Sequence, residues 1–338
     1  MLRIEVYGKI TYIYFIRTIT IIIKYKKNFL LNKTFRWRKR VMLFKERGLF
    51  REAQESKYLP NVFLALIIAL GFLIAGSIIG GIFGGILSIR VTNEALKLLI
   101  SLVFGFIFTS ILIFVWVRYV EKRSIASIGL KKEGALIKFF TGFIIGFILF
   151  ALVILILFIS GSVEVNQASS YKIGASALGS ILIVLPGWIV QSSTEEILSR
   201  GWLMNVIGAK YNAALGLFVS SILFGLLHLD NNEVSILAII NIVLVGLLFG
   251  LYVIKTEDLW GACGMHAAWN WAQGNIFGLE VSGSSVNVGS LMDLELKGNT
   301  LFTGGKFGPE AGIATTIVLT LGIVILLIVA RKDGHNEK

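Results

Sequence analysis

The sequence predicts an all-α fold, a polytopic transmembrane helical bundle of about eight spans. Three observations carry that prediction. The 338-residue chain is 56% hydrophobic and only 15% charged, where soluble domains carry about 25% charge. Its mean hydropathy is +0.81, more apolar surface than a soluble core of this size can hide. Several apolar runs reach roughly 18 residues, the length needed to cross about 30 Å of hydrocarbon.

The first unit, residues 1–58, is basic. It holds 15 of the 32 Lys and Arg against 4 acids. Beside membrane spans this pattern points to a cytoplasmic segment and contact with anionic lipid. Nucleic acid is not expected as a partner. Residues 10–23 are apolar but short and interrupted by Arg17, which suits an interfacial helix better than a span. Met42 offers an alternative start, so no weight rests on residues 1–41.

Spans are expected at about 61–84, 98–118, 137–160, 175–207, 212–229, 234–254, 259–278 and 311–330. The fourth is too long for one crossing and should tilt or run past the interface. Pro186 lies inside it and can kink it. Residues 59–174 thus hold three spans and a basic loop, and 175–278 a four-helix core. Residues 279–310 form an external loop and 311–338 the last span with its tail. The loop is rich in Gly, Ser and Asn and is expected to be flexible. Lys and Arg concentrate before residue 58, at 118–138 and in the tail, so both termini are expected on the cytoplasmic face of the cell membrane. Cys263 is the single cysteine, which excludes an internal disulfide and a Cys₄ zinc site.

Ionisable side chains inside a bilayer are costly unless paired or hydrated, so the polar residues of the core carry the information. Adjacent helical residues point about 100° apart, so Glu195 and Glu196 cannot aim at one point. Glu196 and Arg200, at i and i+4, can pair on one face, which leaves Glu195 free. Gln191 lies one turn before Glu195 on the same face. Phe224 and His228 are likewise i, i+4, as are His266 and Asn270. Counting at 1.5 Å per residue puts Glu195 and His228 nearly level, roughly 20 and 24 Å from the turn near Gly208. His266, only about 10–15 Å into its helix, matches less well unless that helix starts late or tilts.

This set can do hydrolytic chemistry. A carboxylate in a low-dielectric pocket suits general-base work on water. Glu195 would take the proton while His266 and Asn270 donate to an oxyanion. His228 would orient the water or join a metal. Glu195, His228 and His266 are an acceptable zinc set with an open position, and the residues leave metal-bound and metal-free versions open. Glu196 and Arg200 read as a supporting ion pair and Phe224 as packing.

Three segments resemble the CPBP family, which includes CAAX prenyl proteases of the Rce1 type and bacterial Abi or bacteriocin-immunity proteins. They are Glu195-Glu196-x-x-x-Arg200, Phe224-x-x-x-His228 and His266-x-x-x-Asn270, in order, on successive hydrophobic helices. The resemblance covers about residues 175–278. Ser199 stands where the family often has an aromatic. The resemblance implies intramembrane endopeptidase activity, the double-Glu residue acting on water, against a membrane-associated protein or peptide. It does not imply a CAAX substrate. Two alternatives remain: a non-proteolytic member giving bacteriocin immunity by binding, and a proton-coupled transporter. The lack of internal repeats and paired broken helices counts against the transporter.

Overall fold

The computed structural model describes residues 48–166 and 171–336. The apolar segment at 10–23 and most of the basic first unit lie outside the described residues. The chain forms α1 (Gly48–Gln54), α2 (Val62–Ser88), α3 (Glu94–Val115), α4 (Ala135–Ile159) and α5 (Leu178–Glu196). There follow α6 (Met204–Lys210), α7 (Ala213–Leu226), α8 (Ile236–Thr256), α9 (Trp260–Trp271), α10 (Thr300–Thr303) and α11 (Ile313–Asn336). Three of them continue into π-helix: α3 over Trp116–Val120, α5 over Ile197–Leu203 and α9 over Ala272–Ile276. One small antiparallel sheet pairs β1 (Val163–Val165) with β2 (Leu294–Leu296).

All eight expected helical segments form, but only 6 are long and apolar enough to cross a membrane. The fourth runs from Gly174 to Lys210, 37 residues, as its sequence length demanded. The fifth and seventh are short. Helix α7 has 14 residues, about 21 Å. Helix α9 has 12, with 5 more in its π segment. For α9 the physical reason is burial. Every residue of α9 from Gly261 to Asn270 is buried, so this helix does not have to match the thickness of the lipid.

Asparagine and serine start several of these helices. The side chains of Asn61, Asn93, Asn212 and Ser235 each accept from a backbone N–H in the first turn, satisfying a donor that has no helical partner.

Size rather than polarity decides which face turns inward. On α2 the buried residues are Ala65, Ala69, Phe72, Gly76, Gly80 and Gly84, while Ile67, Ile74, Ile78 and Ile82 are exposed. Lipid tails are as apolar as isoleucine, so helices associate through small residues that let backbones approach. The contact of α4 with α9 takes this furthest. A Cβ at Gly142 would strike the Gly261 carbonyl, one at Gly146 the Met265 carbonyl, and one at Gly264 the Phe139 carbonyl.

The two ends of the bundle differ. At one end, Lys131 pairs with Glu52 at 3.1 Å and Lys138 with Asp258 at 2.9 Å. Beneath them lies a buried node on Glu121. Its carboxylate accepts from Arg123 Nε at 2.6 Å, Trp202 Nε1 at 2.7 Å and Trp116 Nε1 at 3.1 Å. Arg123, counted in the sequence with the basic loop at 118–138, is only 6% exposed and paired. Because Trp202 sits in the π segment after α5, the node fixes that segment.

At the other end, residues 277–312 form a folded cap rather than a featureless loop. It contains β2, α10 and two 3₁₀ turns, Gly305–Phe307 and Pro309–Ala311. Asn241 Nδ2 on α8 donates to the carbonyls of Glu310 at 2.8 Å and Gly312 at 2.9 Å. Asn231 Nδ2 donates to the Ser282 carbonyl at 3.0 Å, and Trp188 Nε1 reaches Asn275 Oδ1 at 2.7 Å. Side-chain amides thus stitch loop backbone to the helix ends, satisfying groups that lipid would leave bare.

The α4–α9 contact makes a prediction. Gly146→Leu should destabilise the bundle by about 1–3 kcal/mol through overpacking, read as a lower Tm of the purified protein in detergent. An unchanged Tm would contradict the backbone-on-backbone packing.

Candidate active site

The site forms where α5, α7 and α9 meet, under the cap. Its deepest part is an ion pair. Arg200 Nη1 lies 2.8 Å from Glu196 Oε1, with both side chains 0% exposed. The i, i+4 spacing across the α-to-π junction produces this pair. The guanidinium is also 4.3 Å from the centre of the Phe224 ring, a cation–π contact in a desolvated setting. Space for it comes from α8, because a Cβ at Gly246 would come within 3.1 Å of Arg200 Nη2.

His266 joins the pair. Its Nδ1 is 3.0 Å from Glu196 Oε1, and its Nε2 is 3.7 Å from Glu195 Oε2. The carboxylate of Glu196, ionised against Arg200, accepts, so Nδ1 carries a hydrogen. That bond fixes the ring and turns Nε2 toward Glu195, as a carboxylate orients a catalytic histidine. Glu196 therefore serves two groups, Arg200 and His266.

The shallow count for His266 has a structural explanation. A Cβ on Gly201 would lie 3.0 Å from Leu259 Cδ2, so the start of α9 sits level with Gly201, well above the end of α6. From Leu259 to His266 and from Gly201 to Glu195 are both about 10 Å of helix. The late start brings His266 level with the glutamates.

Glu195 is held from one side. Gln191 Nε2 donates to its Oε1 at 2.5 Å, and Asn270 Nδ2 donates to Gln191 Oε1 at 3.0 Å and Ser192 Oγ at 3.3 Å. The other oxygen, Oε2, is buried with no hydrogen-bond partner. An orphaned buried acceptor costs about 1–3 kcal/mol, and such atoms in native folds call for an explanation. Gln191 was visible in the sequence as a neighbour on the Glu195 face; the chain Asn270–Gln191–Glu195 was not.

His228 stands apart from this network. It follows the end of α7, where its Nδ1 is 2.7 Å from the Phe224 carbonyl. A carbonyl only accepts, so Nδ1 donates and a neutral ring offers Nε2 as acceptor. Among the described residues nothing joins His228 directly to Glu195. The Phe224 ring stands between the imidazoles, 5.0 Å from His228 and 6.0 Å from His266, edge-on to both. His228, His266 and Asn270 line one cavity of about 30 Å³ with Phe224, Ser282 and Glu310. That exceeds the roughly 10–15 Å³ that one water needs.

Two cavity residues, Ser282 and Glu310, come from the cap and were missed in the sequence. Glu310 is 7% exposed, and its Oε1 accepts from the Ser282 N–H. Burial raises its pKa above the usual carboxylate value. Its only sequence signal is an acid standing directly before the last span.

A zinc set of Glu195, His228 and His266 does not fit the side chains as they stand. Among the described residues no group of three or more His, Cys, Asp or Glu is disposed to hold a metal. His228 is set apart from His266 by the Phe224 ring, which is 5.0 Å from one imidazole and 6.0 Å from the other.

Residues 177–272 match the family model described as Rce1-like, type II CAAX prenyl endopeptidase. The matched region runs from the start of α5 to the end of α9 and contains every motif residue named above. No curated protein and no solved structure matches the chain.

The buried pair makes a prediction for stability. Arg200→Met alone strands Glu196 and should cost about 3–5 kcal/mol, seen as a large fall in Tm. Adding Glu196→Gln should recover part of that loss. A double variant no more stable than Arg200→Met would contradict the coupling.

Proposed function

We propose that this chain, with its Rce1-like domain over residues 177–272, is an intramembrane endopeptidase that hydrolyses a peptide bond of a membrane-associated protein or peptide with water activated by Glu195. The observation that carries the reading is Glu195 Oε2, buried, unpartnered and 3.7 Å from His266 Nε2. A water between these two atoms donates one hydrogen to the carboxylate and keeps a lone pair for attack.

In this reading Glu195 takes a proton from the water and the oxygen bonds to the peptide carbonyl carbon. His266, its Nδ1–H held by Glu196, turns Nε2 to the developing oxyanion as a hydrogen-bond donor. Asn270 supplies a second donor by exchanging its 3.3 Å bond to Ser192 Oγ for one to the oxyanion. When the intermediate collapses, the C–N bond breaks and the proton held by Glu195 passes to the leaving nitrogen. His228 Nε2 accepts a hydrogen bond at the mouth of the cavity and orients water or substrate. Gln191 is a positioning residue acting through Glu195, and Glu196 one acting through His266. No step is routed through a metal.

We also propose that both termini face the cytoplasm. Arg51, Lys57, Arg118, Lys122, Lys131, Lys132, Lys210 and Arg331 belong to the loops and helix ends at one end of the bundle. The cap and its neighbouring loop occupy the other end, as the β1–β2 pairing of residues 163–165 with 294–296 requires.

Three outcomes test these readings. Glu195→Gln should lower cleavage of a peptide substrate by at least about 10²-fold with Tm preserved, and Asn270→Ala by about 10²–10³-fold. Retained cleavage by Glu195→Gln would remove the base from the mechanism. For topology, an impermeant maleimide on intact cells should label Ser284→Cys and not Lys132→Cys, since native Cys263 is buried; the reverse pattern would invert the chain.

A further inference from the structure

The cap carries a buried acid that the hydrolytic reading does not use. Glu310 follows Pro309 in the last 3₁₀ turn before α11. Its backbone is pinned by Asn241, and Oε1 accepts from the Ser282 N–H. Phe307 and Ala311, on either side, pack in one cluster with Phe224 of the second motif and with Ala238 and Ile242 of α8. The side chain is therefore held by packing in the wall of the cavity that His228, His266 and Asn270 also line. Fastening the cap does not require a carboxylate here, because a neutral amide oxygen would accept the same N–H.

The cap's surface leans the same way. Segments 227–235 and 277–312 contain Asp230, Glu233, Glu280, Asp293, Glu295 and Glu310 against two lysines, Lys297 and Lys306. Lys297 is paired with Glu164, and Lys306 lies 4.0 Å from Glu233. The approach on this side is net acidic, and a low-dielectric cleft focuses such a field.

We infer that Glu310 is a specificity-determining residue, its carboxylate selecting peptide segments that bring a cationic side chain, Lys or Arg, beside the scissile bond. The inference rests on the peptidase reading. An arriving cation offsets the cost of keeping a carboxylate in this wall, whereas a substrate acid in the same place meets a like charge with little screening. The imidazoles of His228 and His266 line the same cavity and take the scissile carbonyl and water, not the cation.

The test uses the full-length protein in detergent micelles with an equimolar library of synthetic apolar peptides. Each carries one Lys, Gln or Glu at varied positions, and products are identified by mass spectrometry. Wild type should cut Lys peptides over Glu peptides by a factor on the order of tenfold. Glu310→Gln should bring that ratio close to one and Glu310→Lys should invert it. The ratio is internal to each variant, so a change in overall rate does not affect it. A merely structural Glu310 would change rates and leave the ratio alone, which overturns the inference. Cleavage by wild type without charge preference overturns the inference while leaving the peptidase reading intact. No cleavage of any peptide by wild type overturns both. Where Glu310→Gln cuts nothing, uncut Lys and Glu peptides are compared as competitors of wild-type cleavage; equal inhibition overturns the inference, and stronger inhibition by Lys peptides supports it.

Discussion

Everything at the centre of this bundle depends on keeping Glu196 and Arg200 charged inside an apolar interior. Neither side chain has any exposed surface, and stranding either one in this setting costs several kcal/mol. The surroundings are arranged to meet that cost. Helix α5 supplies the pair itself, α7 places the Phe224 ring against the guanidinium, α8 leaves room at Gly246, and α9 brings His266 to the same Glu196 oxygen that Arg200 contacts. Four helices are thus located by one ion pair. The same contacts fix the ring of His266 and turn its second nitrogen toward Glu195. Stability and the geometry of the reactive groups share a cause.

The lipid phase explains the shape around this centre. With apolar tails outside, there is little gain in turning large hydrophobes inward, so α2 buries mostly glycine and alanine and exposes isoleucine, and α4 places Gly142 and Gly146 where it meets α9. Close glycine contacts between α4 and α9 let a short, fully buried helix sit inside the bundle. The π segment after α5 contains Arg200 of the first motif and the one after α9 follows directly on the third, and such local widening is common at functional sites. Above them the cap closes the cavity by hydrogen bonds from asparagine side chains to its backbone, and brings in Ser282 and Glu310.

Much of this was legible in the sequence, for reasons that can be named. Hydropathy gave eight helical segments because span length is set by the bilayer. The Glu196–Arg200 pair followed from i, i+4 spacing, and the separate direction of Glu195 from the 100° step. Three things were not legible. Helix α9 starts level with Gly201, a tertiary fact that no count from its loop contains, so His266 looked too shallow. The cap looked like a flexible loop because its order comes from long-range bonds such as Asn241 to the Glu310 carbonyl, 69 residues away. The Glu121 node was hidden in the basic loop at 118–138, because Arg123 meets Glu121 and the two indoles complete the node only once α3 and α5 are packed.

The central claim is that Glu195 delivers water, rather than itself, to the peptide carbonyl. A single-turnover cleavage of a peptide in ¹⁸O-water, with intact-mass analysis of the protein, tests it most directly. Water attack predicts one ¹⁸O atom in the newly formed carboxyl group in the first turnover and no mass added to the protein. A peptide acyl adduct on the protein, or a first-turnover carboxyl group carrying no ¹⁸O, would contradict it.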